Sequence, residues 1–361
     1  MTVRKAWLAM LLACVCLLSG CSEIYRGSYS TVQPHVQTQT HTTDQTLTAK
    51  DMQELRQHIE KMLDGAKEEG VIYVDGYDQN QVQKDMKQIC NSIKLEYPVA
   101  SFALDNISFE LGKRDGRPAL SLAFRYVRSR VDILSIRSVA DMNMASIQIC
   151  NALARCDVSL VLRVSNYEKR DFQQIIDNYA VENPDLVMET PRVSWEVYPG
   201  KGNQRMLELF FTYQTSCDSL KSMQEKVEPV FASAELYVSG DAGEQEKYSQ
   251  LFSFLMERYD YQYSTSITPT YSLLRHGVGD SRAFAMVYAA MCRRAGLESI
   301  VVSGTKDGES HYWNIIRRDD GGYHVDLRSG SYCERGDEQM EGYVWDYSAY
   351  PVCIVEIIEE N

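Results

Sequence analysis

Apolar and polar positions divide the chain into stretches of different character. An apolar run from Ala6 to Leu18 follows Arg4 and Lys5 and is too short to span a bilayer. Residues 21–47 are rich in Thr, Gln and Ser, with almost no large aliphatic side chains. Such a composition buries too little apolar area to offset chain entropy and predicts a flexible stalk. Met52, Leu55, Ile59, Met62 and Ala66 then recur at helical spacing, which predicts an amphipathic helix within residues 48–70, with Gly70 after its last turn.

From residue 71 the pattern repeats at an offset of 86 to 87 residues. Met86, Ile89, Ile93 and Pro98 match Phe172, Ile175, Tyr179 and Pro184, and Leu120, Leu122, Phe124 and Tyr126 match Leu207, Leu209, Phe211 and Tyr213. The fold predicted is α+β, with two repeated βαββα units over residues 71–156 and 157–240. The first unit is read as strand Val71–Val74, helix 80–96, a hairpin of 100–111 and 118–128, and helix 133–153. The second is read as strand Val158–Val164, helix 168–181, a hairpin turning at Pro199–Gly202, and helix 218–231. Neither unit holds a histidine, a glycine-rich phosphate loop or clustered carboxylates, so both read as scaffold or partner-binding modules.

Residues 241–361 change character. A helix near 245–259 carries Tyr248, Leu251, Phe252 and Leu255 on one face. Gly277-Val278-Gly279-Asp280-Ser281 then leads into apolar helical spacing through Phe284, Val287, Tyr288, Met291 and Cys292, closed by Gly296-Leu297. This describes a loop feeding a helix N-terminus, where free N–H groups and the dipole can activate a nucleophile. Two strands, around His311-Tyr312-Trp313-Asn314 and Tyr323-His324-Val325-Asp326, turn at Asp319–Gly322. A tight turn makes His311 and Asp326 near-diagonal neighbours on one face. Residues 334–341 read as a solvated acidic loop, and the aromatic stretch 343–358 as a tail docked on this domain. His324 reads as packed at the rim of a cleft.

The whole chain has 361 residues, enough for two or three folded units, with ordinary apolar content and a net charge of −13. No basic patch offsets that charge, so a nucleic-acid partner is excluded. Leu18-Ser19-Gly20-Cys21 resembles the bacterial lipobox. That resemblance implies a signal peptide over residues 1–20, lipidation of Cys21 and tethering at the outer face of the cell membrane. Loss of Arg4 and Lys5 would leave 35 basic residues against 50 acidic ones, strengthening the exclusion. Seven cysteines follow Cys21, an odd number without CxxC spacing. They read as small buried hydrophobes, with neither a metal nor a cofactor expected.

His311-Tyr312-Trp313-Asn314, Tyr323-His324-Val325-Asp326 and the glycine-led helix start resemble the transglutaminase-like core of the papain-like superfamily. The resemblance covers residues 245–330, about a quarter of the chain. It implies a triad at Ser281, His311 and Asp326, with Trp313, Asp280 and Gly279 lining a binding cleft. The family's cysteine position holds Ser281, whose hydroxyl cannot be kept ionised as a thiol can and would need His311 to take its proton. Cys292 lies eleven residues along the same helix, about 16 Å away, and cannot stand in. Three functions follow as expectations. The first is a non-catalytic domain binding a peptide or cell-wall fragment. The second is a Ser281-His311-Asp326 hydrolase or acyl transferase acting on peptide amides or esters. The third is an assembly lipoprotein that binds a partner through residues 71–235.

Overall fold

The computed structural model describes residues 47–263 and 265–354. The lipobox, Cys21 and nearly all of the predicted stalk lie outside the described residues, as does the end of the tail beyond Ile354.

Helix α1 (Met52–Asp64) starts where the Asp51 carboxylate accepts the Glu54 N–H at 2.9 Å, a side-chain cap at the helix N-terminus. It buries Leu55, Ile59, Met62 and Leu63 and ends at Gly65. Gly70 is therefore not its cap. It stands in strand β1 (Glu69–Tyr73), where a Cβ would lie 2.5 Å from the Met62 sulfur. After α2 (Gln79–Glu96), Pro98 opens the short helix α3 (Pro98–Ala103), which suits a residue without an N–H. The hairpin's first strand accordingly starts four residues later than its pattern predicts and runs on to Arg114. Strands β2 (Leu104–Arg114) and β3 (Arg117–Tyr126) join at Asp115-Gly116, both with positive φ, as a two-residue hairpin turn requires. The sheet order is β1-β3-β2, all antiparallel. Helices α1–α3 cover one of its faces over Ile72, Leu120, Leu122 and Phe124.

The single helix predicted over 133–153 is replaced by three elements. A capping box between Ser129 and Asp132 limits α4 (Arg130–Leu134). Strand β4 (Arg137–Asp141) then pairs parallel with β5 (Ser159–Asn166), which turns Val139 into the second core. The Asp141 carboxylate caps α5 (Met142–Ala154) through the Asn143 and Met144 N–H groups. These pieces open the second sheet and do not close the first. Helix α6 (Phe172–Glu182), β6 (Arg192–Tyr198) and β7 (Arg205–Thr212) complete it in the order β4-β5-β7-β6. The pairings of β5, β6 and β7 reproduce those of β1, β2 and β3, and a parallel bridge of Thr48 with Tyr73 stands where β4 pairs β5. The two sheets are fastened by Arg128, which binds the buried Glu208 carboxylate at 2.7 Å, and by Lys201, whose N–H donates to the Glu96 carbonyl.

Helix α7 (Cys217–Tyr237), predicted to close the second unit, instead places Leu220, Val227 and Phe231 in a third core. There it meets α8 (Glu244–Met256) and α9 (Ser281–Arg294), which is buried from Ala283 through Cys292. A two-residue parallel pair of β8 (Asp260–Tyr261) with β9 (Val278–Gly279) leads the chain into α9. Strands β10 (Glu298–Lys306), β11 (Glu309–Arg318), β12 (Gly321–Val325) and β13 (Tyr343–Trp345) form an antiparallel sheet in the order β12-β11-β10-β13. One face packs on α9. The other holds Val302, Trp313, Ile315, Met340, Tyr343 and Trp345.

Residues 334–341 are not a free acidic surface. Glu334 bonds Arg318 at 2.5 Å and the Tyr332 hydroxyl at 2.6 Å, and Asp337 bonds His324 at 2.8 Å. Tyr350 in the tail accepts the Ser303 N–H at 3.2 Å. The seven described cysteines are free, and Cys333 alone among them is exposed.

Candidate active site

Ser281 is the first residue of α9, and two neighbours fix that start. The Asp280 carboxylate accepts the Ala283 N–H at 2.9 Å. A Cβ on Gly279 would lie 2.9 Å from that of Ala283 and 3.1 Å from Leu273. Asp280 thus caps the helix and Gly279 packs closely against it. Ser281 itself is 8% exposed, and its Oγ accepts the Tyr312 N–H at 3.2 Å. Among the described residues no hydrogen bond joins Ser281 to His311.

The register of β11 with β12 places the other two groups. Asn314 faces Val325, and Arg318 faces Gly321 across an Asp319-Asp320 turn. His311 and Asp326 consequently fall on one face, offset along the strands, with His311 Nε2 at 3.0 Å from Asp326 Oδ2. The same oxygen accepts the Tyr343 hydroxyl at 2.6 Å and Lys306 Nζ at 3.3 Å, while Oδ1 accepts the Arg328 N–H at 2.9 Å. Burial works to raise the Asp326 pKa. The hydrogen bond and charge of His311, with the Tyr343 hydroxyl and the Arg328 N–H, outweigh it and hold the carboxyl at about 2. An ionised carboxylate only accepts, so His311 Nε2 carries the proton. The Nδ1 atom is buried without a hydrogen-bond partner among the described residues.

Trp313 is fully buried and offers no face to a ligand, unlike its expected place in the lining of the cleft. Its ring lies nearly parallel to His311 at 6.1 Å between centroids and meets Trp345 and Tyr343 edge-on. Its Nε1 donates to His324 Nδ1 at 2.9 Å. His324 is buried here and not at a rim. His324, Asp337 and Cys353 bring a ring nitrogen, a carboxylate oxygen and a thiol within 4.8 Å of one another. The hydrogen bonds suit a fixed donor–acceptor chain better than a cation. The indole N–H can only donate, so His324 Nδ1 accepts and Nε2 holds the proton given to Asp337. A metal on Nε2 would strip the ring of its only proton. Burial and the Asp337 charge also push the Cys353 thiol up to about 12, keeping it protonated. Burial pushes Cys292 up as well, so its thiol is inert.

Sequence spacing missed Tyr343 and Lys306, the further donors to Asp326, because β13 reaches β10 by non-local pairing of Gly304 with Trp345. It also missed a groove of about 1280 Å³ beside the site. Arg282 and Tyr312, the neighbours of Ser281 and His311, lie in its wall together with β10 and the polar side of α6. His276, near this region in sequence, is exposed and packs edge-on against Tyr271.

Solved structures similar to the chain include one described as a TGase, 10% identical, covering 50% of this chain and 55% of its own, with a TM-score of 0.28. A candidate cysteine protease from Cytophaga hutchinsonii is 11% identical, covering 43% of this chain and 65% of its own, at a TM-score of 0.27. A candidate protease from Parabacteroides distasonis is 10% identical, covering 64% and 40%, at 0.23. Likeness this distant carries no argument about mechanism, and the chain spans about half the length of the first of these proteins. No curated protein matches the chain. Residues 232–327 match the model of the transglutaminase-like superfamily. That stretch, running from the end of α7 through the Asp326 carboxylate, is a transglutaminase-like domain within a chain of mixed helix and sheet.

Proposed function

We propose that this domain binds a peptide or cell-wall fragment without cysteine catalysis, on a lipoprotein held by acyl chains on Cys21 at the outer face of the bacterial membrane. The observation that carries the reading is Ser281 itself. It occupies the helix start where the family places a thiol, and its oxygen is engaged by the Tyr312 N–H. A serine there has no stable anion for the helix terminus to hold. The groove lined by Arg282 and Tyr312, the sequence neighbours of Ser281 and His311, supports a binding surface on this domain. Labelling of the intact ectodomain with a fluorophosphonate probe tests it, and the expected result is no adduct at Ser281.

One observation favours a second reading, a serine hydrolase or acyl transferase. His311 Nδ1 is a buried nitrogen with no partner, on a ring whose other nitrogen is held by an ionised Asp326. Such an atom is suited to take a proton from a hydroxyl during attack. An adduct at Ser281 that disappears in His311→Ala would establish this reading and overturn the first. The sheets within residues 71–235 are proposed as a surface for a protein partner. Trp195 and Val197, large apolar side chains exposed on the edge strand β6, support that role. Trp195→Ser in the full chain should then reduce partner capture.

A further inference from the structure

We infer that Arg282 is the carboxylate anchor of the groove, so that the ligand is an oligopeptide bearing a free carboxylate near Ser281. This rests on the peptide-binding reading and adds a chemical class to it. The groove wall carries three arginines and three carboxylates, and three of the six are committed elsewhere. Arg293 binds Asp185 at 2.9 Å, Glu298 faces Arg317 at 3.6 Å, and Asp177 accepts from Gln173 at 2.9 Å.

Among the described residues Arg282 and Arg192 make no ion pair and no hydrogen bond, but Arg192 is exposed, whereas the Arg282 Nε is buried without a partner. Its guanidinium lies 5.9 Å from the Tyr312 ring, near the outer limit of a cation–π interaction and therefore weak. The Arg282 Nη groups have no acceptor of their own and, unlike Nε, are not buried, so they are the donors that an incoming acceptor can reach. The guanidinium fork matches a carboxylate with two parallel hydrogen bonds. A phosphate or polyanion fits less well, because Asp177 and Glu182 in the same wall add negative charge. On the facing wall Gln174 and Asn178, one turn apart on α6, present amides able to pair with a peptide backbone.

The test uses three unlabelled hexapeptide pools, read by isothermal titration calorimetry against the full ectodomain. One pool has a free C-terminus and no Asp or Glu, one is amidated and carries Glu, and one is amidated and neutral. The expected result is that an acidic pool binds at least about tenfold tighter than the neutral one. Arg282→Gln should erase that difference, and Arg282→Lys should restore part of it, with unchanged melting temperatures. Whichever acidic pool gains identifies the carboxylate as terminal or side-chain. Equal binding of all three pools, unaffected by Arg282→Gln, overturns the anchor while leaving peptide binding in place. No binding by any pool at about 1 mM overturns both.

Discussion

Ser281 Oγ accepts the backbone N–H of Tyr312 at 3.2 Å, so the hydroxyl stands beside the strand that carries His311 while bonding its backbone and not its ring. A thiol at this position is a weak acceptor and gains little from that N–H. It gains more from the helix terminus and from an imidazole with a free nitrogen.

Ser281→Cys is therefore expected to create a reactive thiolate. Iodoacetamide at neutral pH should alkylate it at least about tenfold faster than the exposed Cys333, by peptide mass analysis. Adding His311→Ala should return the rate to that of Cys333. Slow alkylation of the single variant would mean that the surroundings no longer support a thiolate.

Asp326 predicts a specific acid response. Its folded pKa of about 2 lies below the ordinary 3.8. A depressed carboxyl contributes stability that is complete above the unfolded value and disappears as pH falls through the folded one. The difference corresponds to about 2 kcal/mol, lost between pH 4 and pH 2. Urea unfolding across that window should show the loss in the native chain and its absence in Asp326→Asn. Parallel pH curves for the two proteins would contradict the assignment.

The His311–Asp326 bond was legible because it depends on local facts: period-two alternation along each strand and a two-residue turn between them. The start of α9 was legible for the same reason, since Gly279, Asp280 and Ser281 are adjacent. What surrounds Asp326 was not, because Tyr343 arrives from seventeen residues further on through a strand too short to announce itself. The helix read over 133–153 failed for a related reason. Ile133, Ile136, Val139 and Met142 recur every three residues as in a helix, but Val139 is turned by the pairing of β4 with β5, a partner the local pattern does not contain. Trp313 and Asp337 were misplaced because burial on this face is made jointly by β11, β13 and the tail.

Gly304 marks how tightly that face is closed. A Cβ there would lie 2.8 Å from the Trp313 ring and would collide with the Val344 carbonyl, which is backbone and cannot swing away. Gly304→Ala should therefore cost about 1–3 kcal/mol in thermal or urea unfolding. It should also loosen β13, measured as faster hydrogen exchange at residues 343–345. Unchanged stability would show that β13 is not held against β10 as described.

The donor–acceptor chain from Trp313 through His324 to Asp337 makes the last prediction. Burial pushes the His324 pKa below its usual 6.5, and Asp337 only partly opposes it. Protonation at Nδ1 would require giving up the bond from Trp313, whose indole cannot accept. The folded chain thus holds a neutral ring at pH values where the unfolded chain binds a proton. Its contribution is present above about pH 6.5 and is lost as pH falls from there through the folded value. Nitrogen-15 NMR should find His324 neutral at pH 6.5, protonated at Nε2, with Nδ1 as the acceptor. Trp313→Phe frees Nδ1, leaves the Asp337 partner in place and should raise the pKa, shrinking the stability lost on acidification at some cost in packing. A native His324 that titrates at or above 6.5, or populates both tautomers, would break the donor–acceptor chain.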